Sequence, residues 1–160
     1  NPQSVYGQTK LDGEKVIEKI LENHYIIRTS WLYSDFGNNF MKTMLRLAKE
    51  RTHLSVVTDQ IGTPTQAVDL AKALITIILS DKKAYGTYHF SNEGTASWYD
   101  FAKKIFEINN VEIDLQPIPT TQFPSPAKRP KYSVLDKTKI KKIFEIDIQD
   151  WKVSLIENRT

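Results

Sequence analysis

Tyr25-Ile26-Ile27-Arg28-Thr29-Ser30-Trp31 is the stretch whose reading decides the fold. Its apolar start reads as a buried strand, and it runs into a loop carrying Asp35, Gly37 and Asn38. Upstream, residues 4–22 read as a helix with Val16, Ile17, Ile20 and Leu21 as its apolar stripe. Downstream, Phe40, Met44, Leu47 and Ala48 fall at i, i+4, i+7 and i+8, which predicts a second helix. A short β-branched strand follows at residues 54–58, closed by the turn-rich Asp59-Gln60-Ile61-Gly62-Thr63-Pro64-Thr65. Ala67, Leu70, Ala71, Leu74, Ile75 and Ile78 repeat at helical period, and Gly86-Thr87-Tyr88-His89-Phe90-Ser91 reads as a strand. Ser97 and Asp100, three apart before Phe101, Ile105 and Phe106, predict a capped helix start. Residues 114–130 hold five of the seven prolines and read as an extended, semi-rigid loop. Helix resumes at about residues 137–143, and a last amphipathic segment holds Trp151, Leu155 and Ile156. Helical and strand-like patterns alternate, so the fold class is α/β.

The 160 residues suffice for one domain with a real core, and 40% hydrophobic with 26% charged residues is ordinary globular composition. The absence of cysteine excludes disulfides, thiolate metal sites and a cysteine nucleophile. His24, His53 and His89 share no ligand spacing. The longest apolar stretch, residues 73–79, is too short to span a bilayer. A net charge of +3 is modest, and the basic run at 137–142 alternates with Ile140 and Ile143 as the wet face of a helix would, so neither nucleic acid nor membrane is expected as a partner. Asn1-Pro2-Gln3-Ser4 shows no basic n-region or apolar h-region, which makes a cytoplasmic protein the expectation. Asn158-Arg159-Thr160 fits a glycosylation sequon by chance composition. A start at Asn1 rather than Met, with a helical pattern almost at once, reads as the C-terminal part of a longer protein.

The sharpest chemical constellation is Tyr6-Gly7-Gln8-Thr9-Lys10. A Tyr and a Lys four apart project from one face of a helix, one turn above the other. A nearby ammonium favours phenolate over phenol and so lowers a pKa that starts near ~10. A tyrosine tuned in this way can serve as general acid or base near neutral pH, and the same Lys has three donors with which to hold ribose hydroxyls. The other reading of a bare Tyr-x-x-x-Lys is a chance pair on a surface helix.

Tyr6-Gly7-Gln8-Thr9-Lys10-Leu11-Asp12-Gly13-Glu14 resembles the active-site helix of extended short-chain dehydrogenase/reductases. Arg28-Thr29-Ser30-Trp31-Leu32-Tyr33, Gly37-Asn38-Asn39-Phe40, Asp59-Gln60-Ile61-Gly62-Thr63-Pro64-Thr65, and Arg129-Pro130 with Ser133-Val134-Leu135-Asp136 are similar, in order and spacing, to motifs of the dTDP-4-dehydrorhamnose reductase family. That resemblance implies the C-terminal portion of a Rossmann-like NAD(P)-binding fold plus a small mixed α/β substrate-binding lobe, with residues 1–60 as the end of the Rossmann-like domain and 61–160 mostly the substrate lobe. It implies hydride transfer from NADPH or NADH to C4 of a 4-keto-6-deoxy sugar on dTDP, with Tyr6 as proton donor and Lys10 lowering its pKa and binding the nicotinamide ribose.

By the same resemblance Ser30 lies at the nicotinamide end of the cofactor, its other reading being a loop-capping Ser; Trp31 is a substrate-pocket tryptophan or a core Trp at a strand end. Asn38 and Asn39 either cap the helix behind them or meet substrate beside its N-terminus. Gln60 is a substrate hydrogen-bond candidate, and Arg129 is a bidentate diphosphate ligand or a solvated loop Arg. The chain carries no glycine-rich phosphate loop, and by the same resemblance the Ser or Thr that completes a catalytic triad with Tyr6 and Lys10 lies upstream of Tyr6, before Asn1, so the chain is expected to be inactive alone. Magnesium occurs in some family members, yet no carboxylate cluster here suggests a metal site. A homodimer through the Tyr6 helix follows by analogy only. Rival readings are another nucleotide-sugar epimerase or dehydratase, a non-catalytic regulatory subunit of the same fold, and a free dTDP-sugar-binding module.

Overall fold

The computed structural model describes residue 2, residues 4–123, residue 125 and residues 129–157; the Asn158-Arg159-Thr160 tripeptide lies outside them. In chain order the elements are α1 (Val5–Ile20), β1 (Tyr25–Arg28), β2 (Leu32–Tyr33), α2 (Phe40–Glu50), β3 (His53–Val57), β4 (Ile61–Gly62), β5 (Thr65–Gln66), α3 (Ala67–Leu79), β6 (Gly86–His89), β7 (Ala96–Ser97), α4 (Trp98–Ile108), β8 (Asp114–Ile118), α5 (Thr138–Phe144) and α6 (Trp151–Glu157). The strands pair as β1 with β6, β2 with β5 and β3 with β8, all parallel, and β4 with β7 antiparallel. The α/β class read from the alternating patterns is the class observed.

The helices begin where their caps dictate. The Ser4 hydroxyl accepts from the Gly7 amide, Asn39 from the Lys42 amide, and Ser97 with Asp100 closes a reciprocal capping box. Two expectations fail for identifiable reasons. Residues 114–118 of the proline-rich stretch form strand β8 rather than loop. The Asp114 amide donates to the Thr52 carbonyl and the Ile118 carbonyl accepts from Thr58, so alternate Pro117 turns its nitrogen away from β3, where no donor is required. The expected buried strand at 25–31 stops at Arg28; Tyr25, Ile26 and Ile27 are half-buried and Arg28 is exposed, because among the described residues β1 is paired along β6 alone.

Two apolar clusters make the core. One joins Met41 and Met44 of α2, Leu54 and Val56 of β3, Phe101 and Ile105 of α4, and Trp151 and Leu155 of α6. The other joins Ala73 and Ile77 of α3, Tyr88 of β6, Phe90, Ile140 and Phe144 of α5, and Ile148, with Tyr25 and Ile27 packed against it. Each combines residues from 1–60 with residues from 61–160. Helix α1 contributes to neither: its predicted stripe of Val16, Ile17 and Ile20, with Leu21, forms but stays exposed.

Between the clusters lies a buried polar knot centred on Asn92, whose side chain is fully enclosed. Its amide oxygen accepts from the Gln66 backbone at 2.8 Å, and its nitrogen donates to Asp69 at 2.7 Å, to Ser154 at 2.8 Å and to the Gln149 carbonyl at 3.2 Å. The Ser154 hydroxyl donates to the same Asp69 oxygen, and buried Lys137 donates to the Asn92 carbonyl at 3.0 Å while pairing with Glu93. Enclosed polar groups are tolerable only when satisfied, and here each partner comes from a different element. Asn92→Leu leaves the Gln66 amide unpaired and the Asp69 carboxylate short of a donor. The expected loss is about 3 kcal/mol in urea unfolding; a loss under ~0.5 kcal/mol would show that the knot is incidental to stability.

Candidate active site

Tyr6 and Lys10 occupy one face of α1 as their spacing predicts, the Lys10 ammonium 5.5 Å from the Tyr6 ring centroid. Both side chains are open, Tyr6 at 73% exposure. What places them is a third residue on the same face, Glu14. Its carboxylate takes a bidentate grip from the Arg28 guanidinium at the end of β1, with the Arg28 Nε at 2.9 and 3.1 Å from the two oxygens. One turn further, Thr87 of β6 donates to Glu18 at 3.4 Å. Glu14 thus lies against the last residue of β1 and Glu18 against the middle of β6, so α1 runs antiparallel to both strands. Lys10 and Tyr6, about 6 and 12 Å nearer its N-terminus at 1.5 Å per residue, project past the carboxyl ends of β1 and β6. That is the edge of an α/β sheet where ligands bind.

Ser30 and Trp31 leave β1 at the same edge. The Ser30 hydroxyl donates to the Thr63 carbonyl at 3.1 Å, and its own carbonyl accepts from the Thr65 hydroxyl at 2.6 Å. Trp31 has a φ of 47°, an unusual left-handed conformation for a bulky residue, and its carbonyl accepts from the Thr65 amide at 3.1 Å. The Trp31 indole stacks on Trp98 with centroids 3.6 Å apart and planes 9° from parallel. The loop passes so close to this ring that a Cβ on Gly62 would sit 2.5 Å from Trp31 Cε2. Close backbone approach therefore accounts for Gly62.

Gln60 is 7% exposed, and both ends of its amide are engaged: Nε2 donates to Thr120 Oγ1 at 3.0 Å and Oε1 accepts from Trp98 Nε1 at 3.2 Å. Asn39 likewise spends its side chain internally, capping Lys42 at 3.2 Å and donating to the Ser34 carbonyl at 2.6 Å. Asn38 and Arg129 are exposed. Two open concavities, of 680 Å³ along residues 48–52 and 112–114 and of 280 Å³ beside Asp69 and Glu145, contain none of the predicted site residues. No group of three or more His, Asp or Glu among the described residues is placed to hold a metal ion. Among the described residues no helix is long and apolar enough to cross a membrane.

Sequence patterning assigns no separate role to Glu14 or Trp98. Glu14 was detectable: residues 6, 10 and 14 share one helical stripe, and Arg28 is the lone charge in an apolar strand. Trp98 had no local signal, since its partner Trp31 is remote in sequence.

The RmlD substrate binding domain family model matches residues 1–158. The chain belongs to this family. It is 45% identical, over 97% of its length and 56% of the relative's, to the dTDP-4-dehydrorhamnose reductase of Aggregatibacter actinomycetemcomitans. Among solved structures, a dTDP-4-dehydrorhamnose reductase from Clostridium acetobutylicum superposes with a TM-score of 0.92 at 48% identity, covering 99% of this chain and 55% of that one. The Bacillus anthracis enzyme, solved in complex with NADP, gives 0.90 at 41% identity, covering 98% and 55%. The chain thus spans about half the length of the relatives that it matches.

Two outcomes test this part of the domain. The hydrogen bond from Arg28 holds the Glu14 carboxyl below its usual range. A carboxylate with a depressed folded pKa adds stability above its unfolded value, near ~4.3, and loses it as pH falls through the folded value. Glu14→Gln should therefore cost about 1 kcal/mol at neutral pH, discounted for solvent at Arg28, and nothing in strong acid. Urea unfolding from neutral pH downward measures it; an equal loss at both ends of the range would contradict the ion pair. Gly62→Ala should disrupt the indole stack, seen as loss of the coupled tryptophan signal in circular dichroism.

Proposed function

We propose that this chain is the substrate-binding and catalytic-acid part of an NAD(P)H-dependent dTDP-4-dehydrorhamnose reductase, reducing the C4 keto group of dTDP-4-dehydro-L-rhamnose to give dTDP-L-rhamnose. The carrying observation is the placement of Tyr6 and Lys10 on one open face of α1, beyond the carboxyl ends of β1 and β6, with Ser30 and Trp31 leaving β1 at that same edge. The donor set fits a nicotinamide nucleotide: a lysine ammonium suits vicinal ribose hydroxyls, and a phenol beside it suits a carbonyl oxygen. When bound, the reduced nicotinamide supplies the hydride. Tyr6 gives its phenolic proton to the C4 oxygen as negative charge develops there, and Lys10 stabilises the resulting phenolate. Ser30 keeps the loop after β1 against the Thr63 segment, at the nicotinamide end of the cofactor.

Trp31 offers a flat apolar surface to the deoxysugar or base, and Arg129 a planar fork to the diphosphate. Gln60 and Asn39 act by positioning, since their amides are engaged within the chain. Asn38, exposed before α2, is the polar group of that pair left to meet substrate. The remaining part of the protein supplies most of the cofactor site and the third member of the triad, so the chain alone does not turn over. Its substrates place the enzyme in the cytoplasm. The exposed apolar residues of α1 make that helix the candidate dimer contact.

The test is an NADPH-oxidation assay with dTDP-4-dehydro-L-rhamnose. It compares the 160-residue chain with the same chain joined behind the cofactor-binding half of the Clostridium acetobutylicum reductase. Turnover is expected only from the joined protein. In it, Tyr6→Phe should lower kcat by about 10²–10⁴ with KM little changed. An active Tyr6→Phe variant would remove the proposed acid, and turnover by the 160-residue chain alone would refute the division of labour.

A further inference from the structure

We propose that Trp98 is a positioning residue that fixes the plane of Trp31, and that a directional hydrogen-bond line from Asp59 through Thr120 and Gln60 sets Trp98 in turn. The inference rests on the reading of Trp31 as a surface for the nucleotide-sugar. The line begins at a carboxylate, which can only accept. Asp59 Oδ1 takes both the backbone amide of Thr120 at 2.8 Å and its hydroxyl at 2.5 Å. The Thr120 proton is thereby committed, so Thr120 Oγ1 can only accept from Gln60, which must present Nε2. The amide is left with Oε1 facing the other way, at 3.2 Å from the Trp98 indole nitrogen, a group that can only donate. Each step dictates the next, and the amide of Gln60 has one orientation that satisfies both neighbours.

The backbone reinforces the same arrangement. β4 pairs with β7 in the register Ile61↔Ser97 and Gly62↔Ala96, which brings the glycine under Trp31 alongside the residues that lead into Trp98. The capping box of Ser97 and Asp100 then starts α4 at Trp98 itself. Phe40, the first residue of α2, closes the group at 4.7 Å from the Trp98 ring. Opposed to this is the left-handed backbone of Trp31, a conformation that persists only where the surroundings over-determine it. The bonds from Thr65 hold the Ser30 and Trp31 carbonyls but leave the indole free to turn about its side-chain bonds. The stack on Trp98 is what orients the ring.

The experiment uses the joined reductase described above. Trp98→Ala should raise KM for the dTDP-sugar about tenfold, the scale of one lost aromatic stack. Trp31→Ala should do the same, and the double variant should be no worse than either, because the two rings act as one unit. KM for NADPH and kcat should stay within about threefold, and Trp98→Phe, which keeps the stack, should recover most of the loss. Gln60→Leu, which leaves both rings in place, should give a smaller rise in the same KM. Additive losses, or an unchanged sugar KM once Trp98→Ala has abolished the coupled tryptophan circular dichroism, would overturn the proposal. If the joined wild-type protein does not reduce the sugar, the reductase reading itself fails. The positioning claim is then read from calorimetry with thymidine diphosphate: matched losses in Trp31→Ala and Trp98→Ala support it, and wild-type affinity in Trp98→Ala defeats it.

Discussion

The two cores of this domain meet at one amide, that of Asn92, and the geometry of the candidate site descends from it. By accepting from the Gln66 backbone and donating to Asp69 and Ser154, Asn92 pins the end of β5, the start of α3 and the middle of α6 to a common point. β5 is only two residues long and could not hold its place by ladder bonds alone. Yet Thr65 of β5 carries the Ser30 and Trp31 carbonyls, and Thr63 just before it receives the Ser30 hydroxyl while donating to the Gly94 carbonyl. A buried, fully satisfied polar group converts core rigidity into a fixed loop, which apolar packing, being non-directional, does less well.

Helix α1 is held by a different physics. It buries no residue, and its side-chain ties to the sheet are the ion pair of Glu14 with Arg28 and the weaker bond of Thr87 to Glu18. A charge pair open to solvent is a modest anchor, worth far less than a buried apolar face. What it supplies is register. A bidentate guanidinium–carboxylate contact admits one orientation, and two turns of helix carry that orientation from Glu14 to Tyr6. The apolar residues Val16, Ile17 and Ile20 of the same helix stay exposed and add nothing to its anchoring.

The periodic helices were legible in the sequence because amphipathic spacing and caps are local: Ser97 with Asp100 announced α4, and Phe40 to Ala48 announced α2. β8 was not, because the proline content of residues 114–130 outweighed the strand signal. Whether Pro117 faces β3 or turns away is a matter of ladder phase, which composition does not encode. The shared face of Tyr6 and Lys10 is legible from helical spacing, whereas the turn that holds Gln60 gives no sign of what its amide bonds. Its actual partners, Thr120 and Trp98, lie 60 and 38 residues away. A buried amide with two protein partners and an open one with none look alike in one dimension.

The same contrast explains why the family's motifs come as a set. The segment Arg28-Thr29-Ser30-Trp31 and the segment Asp59-Gln60-Ile61-Gly62-Thr63-Pro64-Thr65 are separate in sequence but form one object in space. Ser30 bonds Thr63, Trp31 bonds Thr65 and rests against Gly62, and Gln60 steers the ring on which Trp31 stacks. Arg28 in turn reaches back to the helix of Tyr6 and Lys10. A bulky side chain at Gly62 would displace Trp31, and loss of Thr65 would release the strained backbone before it. These segments and the helix of Tyr6 and Lys10 constrain one another through named contacts, so their order and spacing record the assembly of one edge of the candidate site.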